Sequence, residues 1–292
     1  MRALQARGLS AARSCVLVGY TRSNLYYRRK PVPDEPLRRR IEELAAQRPR
    51  WGWRRLLILL RRERAAIGEC RFRRIYRALG LQVRPRKKRK VRYVRGNAVA
   101  PVHAPNQRWS LDFMHDTLAS GRRLRVLMIV DDFTRECLAT EIERAFSSSR
   151  VIAVLERVGL TRGFPQMLRF DNGAELTSHA MLRWGAQRGI ELHFIEPGKP
   201  IQNAHVESLN GRTRDEFLNL HIFLTLDQAR DAAAAWLLDY NEVRPHSSLG
   251  DRTPKEFADT ITTLKPSQGI SCLKNHLRSR DSSQTPQKSV AA

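Results

Sequence analysis

The chain has 292 residues, of which 53 are Lys or Arg and 29 are Asp or Glu, giving a formal net charge of +24. Residues 1–100 hold 29 of the basic and 6 of the acidic side chains, whereas the remaining 192 residues are almost neutral. This uneven distribution of charge favours a polyanionic partner, nucleic acid above all. The apolar runs are too short for a membrane-spanning helix. The four scattered cysteines indicate neither a zinc knuckle nor a disulfide framework.

The first predicted elements are two short helices within residues 8–27, separated at Gly19. Ser10 and Thr21 are suitable N-cap residues for them because their hydroxyl oxygens can accept a hydrogen bond from a free N–H group of the first turn. The pattern predicts a helix-turn-helix-like segment over residues 1–30. An ordinary helical hairpin fits the same pattern equally well.

A second group of helical patterns follows. Leu37, Ile41 and Leu44 share one helical face, and Gly80 is a suitable stop after the last periodic stretch. Three such stretches, rich in arginine between their apolar residues, fit between residues 36 and 80. They predict a small helical DNA-binding domain over 36–80.

A basic stretch, RPRKKRKVRYVR, occupies residues 84–95 and contains eight basic residues in twelve. A solvated charge run is the simplest interpretation of such a stretch. Because this one joins a basic helical domain to a larger domain, we expect a linker over 81–105 that follows DNA phosphates. Its predicted DNA contacts are Arg86, Lys87, Lys88, Arg89 and Lys90.

The pattern changes after residue 106. Predicted strands lie at 107–116, 124–134, 136–144, 167–170 and 191–195, and predicted helices separate the later ones. This order predicts an α/β core over 106–222 in which helices pack on a mixed sheet. Thr225 and Gln228 form a capping box that opens a helical extension over 223–262, and the polar residues 263–292 are predicted to be disordered.

Asp112 is the first candidate catalytic residue. Breaking a phosphodiester bond at neutral pH is commonly assisted by two divalent ions, and Mg²⁺ prefers carboxylate oxygens as protein ligands. In the predicted strand, alternation places Ser110, Asp112 and Met114 on one face. The other face carries apolar residues that would anchor the strand in a core.

Asp171 and Glu207 are the other two candidates. Asp171 ends a short strand and precedes an Asn-Gly turn signal, and the carboxyl end of a strand is where open α/β sheets place ligand chemistry. Glu207 lies on a polar face of a predicted helix, with 35 residues between it and Asp171. The spacing alone is weak, and three unrelated surface acids remain the alternative.

Asp131, Asp132 and His205 could be mistaken for further ligands. The two aspartates also end a strand, but a role in a turn or in packing around the site is the preferred interpretation. His205 precedes Glu207 by two residues and therefore points elsewhere on the helix. A core or surface position is favoured for it over metal ligation.

For four other residues, the sequence is compatible with two roles each. Lys199 and Arg214 are candidate DNA contacts, although basic side chains at these positions could equally be solvated. Arg244 and His246 lie in the motif RPHSSL, where a structural role and DNA contact are equally compatible with the sequence.

Several ordered motifs resemble one family. They are RWSLDFMHD, VDDFTRECLA, RFDNGAEL, HFIEPGKPIQNAHVESLNGRTRDEF and DYNEVRPHSSLGDRTPKEFA, and they cover about residues 106–258. They resemble the retroviral-integrase-like core of transposases encoded by the second reading frame of the insertion-sequence "three" family. The helical stretch before them resembles that family's upstream domain. The chain has DNGAEL and ESLNG where the family usually has DNGPEF and ESFNG.

The resemblance implies a ribonuclease-H-like fold with Asp112, Asp171 and Glu207 as a triad that binds two Mg²⁺ or Mn²⁺ ions. It implies a transposase that binds the ends of a mobile DNA element and catalyses strand cleavage and strand transfer. It also implies a homo-multimer on double-stranded DNA, often fused to or working with an upstream-frame helix-turn-helix protein. A cytoplasmic, nucleoid-associated bacterial protein without membrane contact is expected.

Three alternatives stay open. A catalytically inactive DNA-binding regulator derived from a transposase predicts salt-sensitive DNA binding without cleavage. A nuclease for RNA–DNA hybrids predicts hydrolysis without joining and does not need the basic N-terminal third. A membrane-surface protein predicts binding to anionic liposomes beyond that of other basic proteins.

Overall fold

A computed structural model of the chain describes residues 2–26, 34–83, 100–171, 173, 175–195 and 204–263. Most of the predicted basic linker lies outside these residues, as do Lys199 and the predicted tail beyond residue 263. The predicted linker contacts outside the described residues are Arg86, Lys87, Lys88, Arg89 and Lys90.

The N-terminal segment contains three short helices. They are α1 (Arg2–Gln5), α2 (Ala11–Leu17) and α3 (Arg22–Tyr26). Ser10 is the N-cap of α2, and its side chain accepts a hydrogen bond from the backbone N–H of Arg13 (3.3 Å). Gly19 lies between α2 and α3 with a φ of 64°, a left-handed conformation that glycine adopts without strain. The predicted helix pair is therefore present.

Three longer helices form the predicted helical domain, here called the three-helix domain: α4 (Glu35–Gln47), α5 (Trp53–Arg62) and α6 (Glu69–Ala78). Their apolar faces meet in one buried cluster. Its buried members are Ile41, Leu44, Trp51, Leu56, Leu57, Leu60, Ile67, Phe72, Ile75 and Tyr76. The arginines between these residues are left on the outside of the domain, as expected for amphipathic helices.

Five strands form one sheet in the order β3-β2-β1-β4-β5. They are β1 (Arg108–Thr117), β2 (Arg123–Asp131), β3 (Cys137–Glu143), β4 (Met167–Phe170) and β5 (Glu191–Phe194). The first three strands are antiparallel neighbours, whereas β1, β4 and β5 are parallel. The predicted mixed five-stranded sheet is confirmed. β1 is its central strand.

Helices cover both faces of the sheet. On one face, α7 (Ser148–Arg162) and α8 (His179–Arg188) pack against alternate residues of β1, including Trp109 and Leu111. On the other face, α9 (Ala204–Glu216) and α10 (Leu226–Leu238) pack against Met114 and its neighbours. Since Asp112 alternates with Leu111 along β1, it lies on the face covered by α9.

The C-terminal extension is helical, as predicted. Thr225 accepts a hydrogen bond from the backbone N–H of Gln228 (3.1 Å), and the Gln228 side chain returns one to the backbone N–H of Leu224 (2.8 Å). After α10 the chain makes a π-helical turn, Asp239–Val243, and ends in α11 (Pro254–Thr263). Within the described ranges, no helix is long and apolar enough to cross a membrane.

The end of the second strand differs from the sequence-based prediction, and the predicted domain boundaries stay predictions. The second strand ends at Asp131 rather than at residue 134, because Asp131 accepts hydrogen bonds from the backbone N–H groups of Phe133 (2.8 Å) and Thr134 (3.0 Å) and closes a turn. The residues before Ala204, where the helix of Glu207 could begin, lie outside the described residues.

Candidate active site

Asp112 lies in the middle of β1, half-buried, on the face that α9 covers. Its Oδ2 atom accepts a hydrogen bond from Nδ2 of Asn210 on α9 (2.7 Å), and its Oδ1 atom accepts one from the backbone N–H of Phe113 (2.8 Å). The Oδ1 atom of Asn210 is itself buried and has no hydrogen-bond partner among the described residues. Two donors therefore fix the orientation of the Asp112 carboxylate.

Asp171 follows β4 directly. The parallel register pairs Ser110 of β1 with Arg169 of β4, so continuing it by two residues sets Asp171 beside Asp112. The Oδ1 atom of Asp171 accepts a hydrogen bond from the backbone N–H of Gly173 (3.1 Å). A Cβ atom at position 173 would lie only 3.2 Å from this oxygen, which explains why a glycine follows the aspartate so closely.

Glu207 lies in the first turn of α9, at the protein surface. Asn210 follows it by three residues, so the two side chains lie on the same side of the helix. Because Asn210 bonds Asp112, this side of α9 faces the carboxylate on β1. Partial removal from solvent raises the pKa of Glu207.

The three carboxylates influence one another. The pKa of Asp112 is raised to about 6, first by burial and then by the negative charges of Asp171 and Glu207, which together outweigh the opposing hydrogen bonds from Phe113 and Asn210. The fold thus brings all three predicted residues into one electrostatic environment. No three His, Cys, Asp or Glu side chains of the described residues stand close enough together to hold a metal ion. Their assignment as a triad stays a prediction.

Family comparisons agree with this layout. Two models described as integrase core domain match residues 102–200 and 188–254, and one described as HTH-like domain matches residues 33–89. The "Insertion element IS407 uncharacterized 31.7 kDa protein" of Burkholderia multivorans is 45% identical over 251 residues, which cover 86% of this chain and 91% of that protein. The chain belongs to the insertion-sequence transposases with an integrase core.

More distant proteins agree. "Transposase InsD for insertion element IS2D" of Escherichia coli is 26% identical over 88% of this chain and 93% of its own length. The simian T-cell lymphotropic virus intasome structure, solved in complex with PP2A regulatory subunit B56 gamma, aligns with a TM-score of 0.52 and 16% identity over 86% of this chain and 80% of that chain. The likeness confirms the predicted ribonuclease-H-like, integrase-type fold of the transposase.

Two leucines replace residues that are usually aromatic in the family. Leu176, in the DNGAEL motif, is fully buried in the cluster between the sheet and α7 and α8. Leu209, in the ESLNG motif, is fully buried in the cluster between the sheet and α9 and α10. Both leucines therefore serve as core residues in this transposase, next to the elements that carry Asp171 and Glu207.

Arg125 and Glu175 link β2 to the loop that follows Asp171. Arg125 on β2 donates a hydrogen bond to Glu175, four residues after Asp171, and its guanidinium carbon lies 4.2 Å from the ring centroid of Phe113, next to Asp112. The hydrogen bond from Arg125 lowers the pKa of Glu175. This pair, which no sequence pattern predicted, connects the loop after Asp171 to the strand next to β1.

Asp131 and Asp132 have structural roles, as preferred from the sequence. Both are fully buried. Asp131 closes the turn after β2, while Asp132 accepts hydrogen bonds from Nε of Arg108 (2.5 Å) and from the hydroxyl of Ser110 (2.8 Å). Both oxygens of each carboxylate accept hydrogen bonds from neighbouring residues, including one from the backbone N–H of Asn106 to Asp131 (2.8 Å), which fits packing roles.

His205 and Arg214 are also engaged by the protein. His205 is half-buried, and burial together with the nearby charge of Arg135 lowers its pKa to about 4. Arg214 donates a hydrogen bond to the carbonyl oxygen of His115 and pairs with Asp116 (3.5 Å) at the end of β1. The half-buried position of His205 agrees with the preferred interpretation that it is not a metal ligand. DNA contact by Arg214 stays a prediction.

Arg244 and His246 are internal. Arg244 is 2% exposed and donates two hydrogen bonds of 2.6 Å to the Glu216 carboxylate, while His246 is 3% exposed and packs edge-on against Tyr240. Burial and the charge of Arg244 lower the pKa of His246 to about 2. Of the structural role and the DNA contact that the sequence left open, the structural role fits both residues.

Glu216 was missed by the sequence analysis. It lies at the end of α9 and also accepts hydrogen bonds from Trp51 Nε1 (3.1 Å) and Arg55 (3.0 Å) of the three-helix domain. One carboxylate thus joins that domain, the helix of Glu207 and the buried Arg244. The available signal was an acidic residue at the C-terminal end of a helix, where the macrodipole disfavours it unless a basic partner is present.

Proposed function

We propose that this transposase binds the ends of a mobile DNA element and cleaves and joins DNA strands with divalent metal ions held by Asp112, Asp171 and Glu207. The reaction is phosphodiester hydrolysis followed by transesterification, so the enzyme is a polynucleotidyl transferase. It acts in the bacterial cytoplasm on nucleoid DNA, as a homo-multimer that brings two ends together.

The observation that carries the proposal is the position of Asp112, which is half-buried on the sheet face covered by α9. It accepts a hydrogen bond from Asn210, three residues after Glu207, and it lies on a strand parallel to the one that precedes Asp171. Burial, and to a smaller extent the charges of Asp171 and Glu207, raise the pKa of this carboxyl group to about 6. Carboxylates that repel one another in a partly desolvated place destabilise the protein unless a cation accompanies them. An oxygen-only donor set is also what Mg²⁺ and Mn²⁺ prefer.

The residues present therefore fit such ions. The Oδ1 atom of Asn210 adds a buried acceptor, beside Asp112, that lacks a partner among the described residues. When bound, two divalent ions supply an activated water or 3′ hydroxyl and stabilise the leaving 3′ oxygen. The protein's part is to hold the carboxylates still: Phe113 and Asn210 orient Asp112, and the Gly173 N–H orients Asp171.

A direct assay uses labelled oligonucleotides that carry the element ends, incubated with the full chain and Mg²⁺. We expect nicked and then joined products, which EDTA abolishes. Glu207→Gln should remove both products, whereas the matched control Glu191→Gln, at an exposed strand position away from the site, should retain them. DNA binding without any product would instead identify an inactive regulator, and cleavage without joining would identify a nuclease.

Glu175→Gln is predicted to reduce strand transfer by about 10- to 100-fold, the usual effect of losing a partner that supports metal ligands. The amide keeps the shape of the side chain but loses the charge that pairs with Arg125, so the loop after Asp171 is held less firmly. The measurement is the Mg²⁺ concentration for half-maximal strand transfer, which should rise. If Glu175→Gln and Glu191→Gln show the same Mg²⁺ dependence, the Arg125–Glu175 pair does not support metal binding.

A further inference from the structure

Two groups of arginines can be distinguished on the surface of the three-helix domain. Residues 34–83 contain 14 arginines and 6 acidic residues. Four of these arginines pair with acidic residues beyond the domain and so mark the side of the domain that faces the integrase core. The pairs are Arg48–Asp239, Arg50–Asp215 (3.6 Å), Arg55–Glu216 (3.0 Å) and Arg62–Glu256 (2.8 Å).

A different group surrounds Trp53, the first residue of α5. The guanidinium carbon of Arg54 lies 5.3 Å from the centroid of the Trp53 ring, and that of Arg73, from α6, lies 4.9 Å from it. Arg54 is exposed and Trp53 is half-buried. One indole ring therefore holds guanidinium groups from two neighbouring helices at the surface of the domain.

Arg77 extends this surface. It follows Arg73 by four residues, so the two side chains lie on the same face of α6, and it is exposed. On α5, Arg54 is displaced by about 100° from Arg55, the residue that pairs with Glu216. The surface around Trp53 is thus separate from the contact with the integrase core.

Among the described residues, Glu69 is the acidic side chain that pairs with these arginines. The two distances to the Trp53 ring place the guanidinium carbons of Arg54 and Arg73 no more than about 10 Å apart, within about one Debye length at 0.1 M salt. Glu69 pairs with Arg73 at 3.4 Å, and both side chains of that pair are largely exposed, so it contributes little. Like charges held this close fit an anionic partner.

We propose that Trp53, Arg54, Arg73 and Arg77 form the surface by which the three-helix domain holds the phosphate backbone of double-stranded DNA. The guanidinium groups contact phosphates, and the Trp53 ring keeps two of them in position before DNA arrives. The inference rests on the proposed function in that the partner is DNA. It does not depend on strand cleavage or joining.

The test is DNA affinity of the full chain, measured by fluorescence anisotropy with a labelled duplex in EDTA at 50 to 200 mM KCl. Each phosphate contact contributes about −0.9 to the slope of log K against log salt. Arg54→Gln and Arg73→Gln should each make the slope shallower by about one. Arg54→Lys and Arg73→Lys should keep it.

Trp53→Leu gives a separate expectation. It removes the ring but no charge, so affinity should fall about two- to fivefold, the effect of an exposed cation–π contact, while the slope stays unchanged. Circular dichroism confirms that each variant is folded.

Arg183→Gln is the matched control, because Arg183 is exposed on α8, on the sheet face opposite α9. If the slopes of Arg54→Gln and Arg73→Gln equal that of Arg183→Gln, the inference is overturned. Because EDTA prevents catalysis, a failure of strand transfer leaves this result intact.

Discussion

Replacing Asp112 by Asn is expected to reduce strand cleavage and strand transfer by about 1,000-fold or more. Metal ions contribute several kcal/mol of transition-state stabilisation, and each 1.4 kcal/mol corresponds to a factor of ten in rate. Asparagine keeps the size of the side chain and the hydrogen bond that its oxygen accepts from Asn210, but it removes the charge that holds a cation. The measurement is single-turnover strand transfer with Mg²⁺.

DNA affinity and fold should survive this change. Asp227→Asn is a suitable control, because the Asp227 side chain is 85% exposed and lies on α10, away from the site. It should retain normal strand transfer. Normal activity in Asp112→Asn would show that this carboxylate holds no catalytic ion.

The same substitution should stabilise the metal-free protein at neutral pH. The pKa of Asp112 is raised from 3.8 to about 6, first by burial, so the folded protein disfavours the charged form. The stability associated with the neutral carboxyl group is fully present below about pH 4 and is lost as the pH rises through about 6. In EDTA, the Tm of Asp112→Asn should therefore exceed that of wild type at pH 7 and match it at pH 4. At pH 7, Mg²⁺ should raise the Tm of the wild type more than it raises the Tm of Asp112→Asn.

Glu216→Gln is expected to lower the free energy of unfolding by about 3–5 kcal/mol, the usual cost of leaving one member of a buried ion pair without its partner. Arg244 is 2% exposed and directs both of its short hydrogen bonds to Glu216. Its other neighbour, His246, can accept a hydrogen bond through Nε2 (3.3 Å), but a neutral imidazole does not replace the lost negative charge. Urea denaturation measures the effect.

Two comparisons make this expectation specific. Glu242→Gln breaks the ion pair between Glu242 and Lys255, whose side chains are 45% and 54% exposed, respectively. It should change the free energy of unfolding by less than about 1 kcal/mol. Replacing both Glu216 and Arg244 by Met should recover part of the loss, because the buried Arg244 charge is removed together with its partner, whereas the half-buried Arg55 lacks its partner in both variants. A small effect of Glu216→Gln alone would mean that solvent reaches this carboxylate.

The sheet could be predicted largely because its strands follow simple burial rules. The alternation in β1 placed Asp112 on the face opposite Trp109 and Leu111, and those two residues are fully buried against α7 and α8. The short apolar strand Met167–Phe170 has the predicted bounds. Such positions can be predicted from the sequence because successive residues of a strand point to opposite faces of the sheet, so the burial of one residue indicates the face of the next.

The contacts between distant elements were not predictable in the same way. Glu216 is bonded to Arg55, 161 positions earlier in the sequence, and to Arg244, 28 positions later, and nothing in the local pattern of α9 selects these partners. The link between Arg125 and Glu175 is similar, because it depends on how the loop after β4 returns over the sheet. Sequence motifs marked where the acids lie, whereas the supporting side chains come from tertiary packing.

The central claim is that Asp112, Asp171 and Glu207 hold divalent ions at one place. Its most direct test is anomalous diffraction from crystals of the transposase bound to element-end DNA and soaked with Mn²⁺. We expect anomalous density bridging oxygens of all three carboxylates, and loss of that density in Asp112→Asn. Density elsewhere, or three carboxylates that stay apart in the presence of DNA and Mn²⁺, would contradict the account.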